Sequence, residues 1–492
     1  MVGTPKDPGG RTNSECGACG RSFVKPRTRA ADRRVSYETT TRDQDTFWIQ
    51  CDVCDQWYHG KTSEHLASMA DGYEFARAFN RKEVWKKVYL IENVDGLGIR
   101  LPPKSFSLKD CVDVVGAKRV VDTIDVYKQY TFQMSFGRFY EHFMAKERPR
   151  LYNILSLEFS DSRLSQIVQP PKLVAELSWV HKFWPLIKGN TPVAPMISSK
   201  SVFKEHLKAK PEVELFCLVG MKDSYTDFHI DFGGSSVWYH VFKGQKVFYV
   251  VAPTEENVRR FADYQNSSNR TEVFFGDLLP PDSLFKVIIN EGETLMIPAG
   301  WIHAVTTPCD SLVFGGNFLH SLNIEMQLRI YDMEINLETE DRFMFPSFEL
   351  VNWYAAASIL KILREANDRG VTIDDYLLRG AKALINSLRR WIARDEANEG
   401  DLSDSQWVKT YCKLKRCLQI YEKRYCGSLN AEGVNASETN ILESPGERLI
   451  SSTTSKETDA EIETVVCGEV NMSEALPKKE IDDLSIANAD KE

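Results

Sequence analysis

Between residues 214 and 318 the sequence breaks into short apolar or alternating runs separated by glycine-bearing pairs, and no other segment so narrows what the chain can fold into. The runs lie near 214–221, 225–232, 236–242, 245–252, 284–290, 293–298, 302–307 and 311–317. The breaks fall at Gly233-Gly234, Lys243-Gly244, Glu291-Gly292 and Ala299-Gly300. Runs this short, bounded by turn residues, suit strands. Eight of them imply a double-sheet jelly roll. A helical stretch near 254–264 and a polar loop at 265–282 enter the series as an insertion.

Within that series, the run from Tyr225 to Val250 sets His229 and Asp231 two positions apart in an extended, aromatic-rich segment. Residues i and i+2 of a strand face the same side, so an imidazole and a carboxylate are offered together. They supply two of the three ligands of a 2-His-1-carboxylate triad, which leaves positions open on Fe(II). A His-x-Asp alone is a weak signal in a chain with nine histidines, because such a histidine is more often structural. Leu295-Met-Ile-Pro-Ala-Gly-Trp-Ile-His-Ala-Val adds His303 just after a tight turn, with 71 residues between it and Asp231. A jelly roll brings its second and seventh strands together at the barrel mouth, so the fold supplies the meeting that the spacing does not.

These residues carry a specific resemblance. Thr-Asp-Phe-His-Ile-Asp-Phe-Gly-Gly followed by Val-Trp-Tyr-His-Val, then Ile-Pro-Ala-Gly-Trp-Ile-His-Ala-Val and Phe-Gly-Gly-Asn-Phe-Leu-His-Ser-Leu-Asn-Ile, is similar to the JmjC-domain lysine demethylases, in particular the subfamily joining a PHD finger to a JmjC domain. The similarity runs from about residue 88 to about residue 420. It implies a mixed α/β, mainly β fold: a cupin-like, double-stranded β-helix JmjC domain over 88–330 with its jelly-roll core at about 214–318, then a helical domain over 331–426. His229, Asp231 and His303 would hold Fe(II). Lys246 would give the far carboxylate of 2-oxoglutarate a charge-assisted contact, with hydroxyls from Thr226 and Tyr239, and Asn153 and Asn317 would line the pocket. Lys246 taken alone would more often be a solvated lysine beside a turn. Thr226 lies three residues before His229 and faces the opposite side of a regular strand, so its role needs an irregular strand start. His240 and His320 fall in these motifs without a ligand role.

The implied chemistry is oxidation of an N-methyl carbon coupled to conversion of 2-oxoglutarate and oxygen to succinate and carbon dioxide, with the methyl leaving as formaldehyde. By resemblance the substrate is mono- or dimethyl-lysine on histone H3, at lysine nine or twenty-seven, and the partners are the H3 tail and the nucleosome. A nuclear, chromatin-regulating protein follows from that substrate. A JmjC hydroxylase of protein side chains and a non-catalytic chromatin scaffold are the competing readings.

Upstream, Cys16-Gly-Ala-Cys19 and Cys51-Asp-Val-Cys54 form two Cys-x-x-Cys knuckles, and His59 follows Cys54 after four residues. This spacing points to Zn(II). Phe47 to Gly60 resembles the middle of a PHD finger, a two-zinc histone reader, over a segment taken as 16–65. The family's next cysteine position holds Thr62, and no cysteine recurs until Cys111. The finger is therefore incomplete: degenerate, missing a piece, or collapsed onto one zinc held by four thiolates. Trp57 matches a methyl-lysine cage wall that acts through cation–π attraction, whereas the position of another wall is Glu15. Lys25, Arg27, Arg29, Arg33 and Arg34 make a basic 25–34 loop that could touch DNA phosphates.

Residues 1–15 read as a disordered lead and 66–87 as a linker, with 63–85 mostly helix-compatible. Strands are expected at 88–91, 97–101 and 151–160, an Ser107-x-x-Asp110 cap opens a helix, and an amphipathic helix covers 172–184. Apolar positions spaced by 3.6 residues mark helices at 321–337, 348–366, 373–397 and 404–425. Residues 427–492 lose aromatics and read as a disordered tail. The net charge of −9 gives no overall basic field, although charge can still segregate locally. No apolar run has the roughly 18 residues of a membrane span, and 11 scattered cysteines fit thiols and metal ligands better than disulfides.

Overall fold

Two long antiparallel strands, Ser236–Val251 and Ile302–Phe318, pair with each other along their lengths and form the axis of the domain. The computed structural model describes residues 46–50, 57–61, 65–184, 210–270, 272–280 and 283–425. The first half of Ser236–Val251 also pairs with Thr294–Ile297, and its second half with Leu284–Asn290. On the other long strand, the end pairs with Phe216–Gly220 and the start with Tyr225–His229. Each long strand thus belongs to both walls of a jelly roll.

The switch between walls happens at a corner. Register shifts interrupt the pairing between Val241 and Val247, and bulges of this kind bend a strand from one sheet into another. Gly244 sits there at φ +85, where a Cβ would lie 2.3 Å from the Asp310 carbonyl oxygen. The runs expected as four separate strands at 236–242, 245–252, 302–307 and 311–317 are therefore two continuous ones. Lys243-Gly244 bends the strand without ending it.

Between the walls pack Val237, Tyr239, Val241, Phe248, Val250, Leu295, Val305 and Val313, all buried. Burying such side chains stabilises by about 1.5–3 kcal/mol each, and alternation keeps them on one face. The wall continues outward through Tyr152–Glu158, the strand expected at 151–160, and then through the hairpin Val120–Asp125 and Tyr130–Ser135, which is not expected from the sequence.

Residues 66–87 are not a linker. Leu66–Asp71 is an edge strand parallel to Val88–Asn93, and the Asp71 side chain accepts the Glu74 N–H at 2.7 Å to cap helix Gly72–Ala78. Phe75, Phe79, Trp85 and Tyr89 then pack edge to face, so this segment is core. Residues 97–101 form only an isolated bridge from Arg100 to Gln169. The helix expected over 172–184 breaks at Ser178 into Lys172–Leu177 and Trp179–Phe183. Ser107 and Asp110 do form a reciprocal capping box on helix Leu108–Val115.

Helices Ile324–Asn336, Phe348–Arg369, Asp375–Glu399 and Gln406–Tyr425 share one core, in which Trp353 meets Trp407 at 5.3 Å and Trp391 abuts Tyr331 and Phe348. Among the described residues no helix is long and apolar enough to cross a membrane. Cys16, Cys19, Cys51 and Cys54, the 25–34 loop, the lead and the tail lie outside the described residues. For Trp57 and His59 only the backbone is described, in strand Trp57–Lys61 paired with Thr46–Gln50.

Candidate active site

His229 ends its strand, and directly across the ladder stands His303, near the start of Ile302–Phe318. Asp231 follows two residues on, opening the tight turn Phe232–Gly234. One ligand atom from each of the three lies within 4.8 Å of the others. The two imidazole centroids are 4.2 Å apart, and His303 Nε2 is 3.6 Å from Asp231 Oδ2. Among the described residues no second group of three His, Cys, Asp or Glu converges this way.

The backbone fixes which nitrogen each histidine offers. His229 Nδ1 lies 2.8 Å from the Asp227 carbonyl oxygen and His303 Nδ1 lies 3.1 Å from that of Trp301. A carbonyl can only accept, so both Nδ1 atoms carry the proton and both Nε2 lone pairs are free for a metal. Burial pushes the His303 imidazole down to about 4; the adjacent His229 adds to the fall, and Asp231 opposes it. A neutral ring is the form that ligates. The donor set, two imidazole nitrogens and a carboxylate, fits Fe(II) with open positions.

Asp231 is held in turn. Asn317 Nδ2 donates to Asp231 Oδ1 at 3.0 Å and to Ser235 Oγ at 3.0 Å. Asn317, expected to line the cosubstrate pocket, thus touches the ligand carboxylate itself. The next turn needs glycine: Gly233 and Gly234 both have φ +59, and a Cβ on Gly233 would lie 2.8 Å from the Phe348 ring. The Gly233 N–H points to both carboxylate oxygens of Glu334, at 2.8 and 3.1 Å, from helix Ile324–Asn336. Burial pushes the Glu334 carboxyl up to about 8, the Gly233 N–H opposes the rise, and Asp231 adds to it. The helical domain therefore reaches this loop both by packing, through Phe348, and by a hydrogen bond, through the buried Glu334.

Thr226 shares a face with His229, because the ladder is irregular between them. His303 pairs with His229 and Val305 with Thr226, so the four residues 226–229 on one strand match the three residues 303–305 on the other. This bulge absorbs one residue and turns Thr226 toward the side of the metal ligands.

Deeper in the barrel, Asn153, Gly220 and Ser311 stand side by side across three strands. A Cβ on Gly220 would lie 2.7 Å from Lys246 Nζ and 3.1 Å from both Ser311 Oγ and Thr307 Oγ1. Lys246 is 2% exposed, and its Nζ donates to Thr307 Oγ1 at 2.7 Å. Burial pushes this ammonium down to about 7. Asn153 Oδ1, Ser224 Oγ and Ser311 Oγ are buried there without a protein hydrogen-bond partner. Unpaired buried polar atoms cost free energy, and a buried cation with hydroxyls around it is the environment an anion relieves. The cradle fits the far carboxylate of 2-oxoglutarate. Tyr239 packs in the same interior with its ring 4.9 Å from that of Phe248, and burial raises its hydroxyl pKa. Phe248 stacks on His303 at 5.6 Å and so lies between the cradle and the metal ligands.

His240 and His320 are structural. His240 Nδ1 lies 2.9 Å from Thr294 Oγ1, while His320 accepts the Leu322 N–H at Nδ1 and donates from Nε2 to Ser236 Oγ. Burial pushes them down to about 4 and about 3. Sequence reasoning missed Thr307, Ser311, Ser224 and Glu334. Thr307 was recoverable, since 303, 305 and 307 alternate onto one face; Glu334, on a distant helix, had no signal.

A 2-His-1-carboxylate cluster with open positions on a jelly roll is the site of a non-heme Fe(II) oxygenase. Residues 216–318 match the JmjC domain, hydroxylase, and residues 322–422 match the Jumonji helical domain, and the chain belongs to the JmjC-domain proteins. It is 46% identical over 359 residues to histone lysine demethylase PHF8 of Danio rerio, covering 72% of this chain and 33% of that protein. It is 44% identical over 324 residues to lysine-specific demethylase 7A of Danio rerio (66% and 35%), and 42% identical over 338 residues to the Homo sapiens protein of that name (69% and 34%). The chain spans about a third of the length of these curated relatives.

Proposed function

We propose that this chain is an Fe(II)- and 2-oxoglutarate-dependent histone lysine demethylase acting on mono- and dimethyl-lysine of histone H3, of the lysine nine or twenty-seven class. The observation that carries the reading is the convergence of His229, Asp231 and His303 beside a buried Lys246 cradle. With iron and 2-oxoglutarate bound, dioxygen would be the oxidant: one of its oxygen atoms would go to 2-oxoglutarate, giving succinate and carbon dioxide, and the other to an N-methyl group, giving a hydroxymethyl group that departs as formaldehyde. His229 and His303 present Nε2 lone pairs, Asp231 presents a carboxylate fixed by Asn317, and Lys246 orients the cosubstrate by its far end. The names of the relatives support lysine as the acceptor of this chemistry.

On the same reading the protein works on nucleosomes in the nucleus, residues 16–65 bind Zn(II) as a partial finger with Trp57 at its reading surface, and the 25–34 loop adds DNA contact. The test is incubation of the purified chain with iron(II), 2-oxoglutarate and methylated H3 peptides, followed by mass analysis. Loss of one methylene mass per methyl group is expected; gain of one oxygen without that loss would make the protein a hydroxylase. No turnover, with peptide binding unchanged in His229→Ala, would make it a scaffold. His303→Ala should abolish turnover, and full activity in that variant would refute the site.

A further inference from the structure

Helix Gln406–Tyr425 buries Trp407, Thr410, Leu414, Leu418 and Tyr421 on one face. Six of its eight exposed positions are basic, Lys409, Lys413, Lys415, Arg416, Lys423 and Arg424, the others being Gln419 and Ile420. At about 100° per residue, Lys409, Lys413, Arg416 and Lys423 fall within an arc of about 80°, opposite the buried face. At about 1.5 Å rise per residue they cover about 21 Å along the axis. The single acid in the helix is Glu422, which is paired with Lys382 at 2.6 Å.

The counter-charges set this helix apart. On the neighbouring helix Asp375–Glu399, Arg379, Lys382, Arg390 and Arg394 each meet a carboxylate within 4 Å. On this helix Lys409 meets only Asp404, itself 97% exposed. Among the described residues, Lys413, Lys415, Arg416 and Lys423 have no carboxylate within 4 Å. Three of the four cations in that arc, Lys413, Arg416 and Lys423, have no carboxylate partner, and in a chain of net charge −9 they form with Lys409 a local positive stripe against the overall sign. Mutual repulsion along such a stripe is relieved by an extended polyanion.

We propose that the outward face of helix Gln406–Tyr425 is a binding surface for the phosphate backbone of double-stranded DNA. Duplex DNA carries one charge per roughly 1.7 Å of axis and releases counterions when cations contact it, so a rod-like basic stripe matches its geometry and needs no base contacts. The surface is formed by the helical domain, and its DNA contact stands whether or not the iron site demethylates histones.

The test uses the full chain and a fluorescent duplex of about 30 base pairs and mixed sequence. The triple variant Lys413→Gln, Arg416→Gln, Lys423→Gln keeps good helix formers at exposed positions. It should bind the duplex at least tenfold more weakly at low salt, and the slope of log affinity against log salt should fall by about 2.7 for three lost phosphate contacts. Lys413→Arg with Lys423→Arg should retain binding. Peptide turnover should be unchanged in the triple variant. Unchanged duplex affinity and slope would overturn the proposal. So would weaker binding to nucleosomes with unchanged binding to free duplex, which would assign the stripe to an acidic protein surface.

Discussion

Lys246→Met should stabilise the protein in the absence of cosubstrate while destroying its response to 2-oxoglutarate. Lys246 has its Nζ buried with Thr307 Oγ1 at 2.7 Å, and its folded pKa is about 7 against an ordinary 10.5. Between those values the unfolded chain binds more protons than the folded one, so stability rises with pH across that window. Below pH 7 the folded state carries the full penalty, about 5 kcal/mol as a ceiling at about 1.4 kcal/mol per pH unit. Methionine has a similar reach and no charge. Subtracting about 1 kcal/mol for the lost hydrogen bond and about 1 kcal/mol for imperfect packing leaves a gain of about 3 kcal/mol near pH 6.5. For a folded body this large that corresponds to about 3–6 °C in Tm, and the gain should shrink by pH 9.5, where Lys246 is neutral in the folded state. Adding manganese(II) and 2-oxoglutarate at about 100 times Kd should stabilise the parent by about 2.7 kcal/mol and the variant hardly at all. Thermal unfolding at the two pH values, with and without cosubstrate, measures all of this. A destabilised variant at pH 6.5, or one stabilised by 2-oxoglutarate as strongly as the parent, would refute the reasoning.

Asn317→Ala removes the donor that fixes Asp231 and should weaken iron(II) or manganese(II) binding by about 10–100-fold, as read by metal titration; unchanged affinity would remove Asn317 from the metal site. Glu334→Ala orphans the Gly233 N–H and should cost about 1–3 kcal/mol in denaturant unfolding. Glu334→Gln keeps an acceptor and should lose little, so equal losses in the two variants would count against the hydrogen bond as the cause. Gly220→Ala places a methyl within 2.7 Å of Lys246 Nζ and should raise the KM for 2-oxoglutarate about tenfold or more with little change in Tm; an unchanged KM would show that the cradle lies elsewhere.

The strand series was legible because alternation and glycine pairs are local, and so were the helices after residue 321, whose 3.6-residue spacing reports one buried stripe. Corners are not local. Lys243-Gly244 has the composition of a hairpin turn, yet the chain continues as one strand because its partner Ile302–Phe318 bends with it. Residues 66–87 lack a clear period because Leu66–Asp71 is a short edge strand and Phe75, Phe79 and Trp85 pack from a short helix and a loop. The break at Ser178 also escaped a pattern search, since the helical period continues in phase across it.

The sequence by itself named the candidate donors: His229 and Asp231 two apart on an extended run and, through the family resemblance, His303 after a tight turn. It also pointed to a jelly roll, through the series of short glycine-bounded runs, although four of those runs join into the two long strands Ser236–Val251 and Ile302–Phe318. Tertiary structure alone decided how the site is held. A bulge opposite Val305 turns Thr226 inward, Asn317 clamps Asp231 from 86 residues away, and Glu334 reaches Gly233 from the helical domain 101 residues on. Those contacts depend on register and on the packing of distant elements, and neither is written in the spacing of residues along one strand.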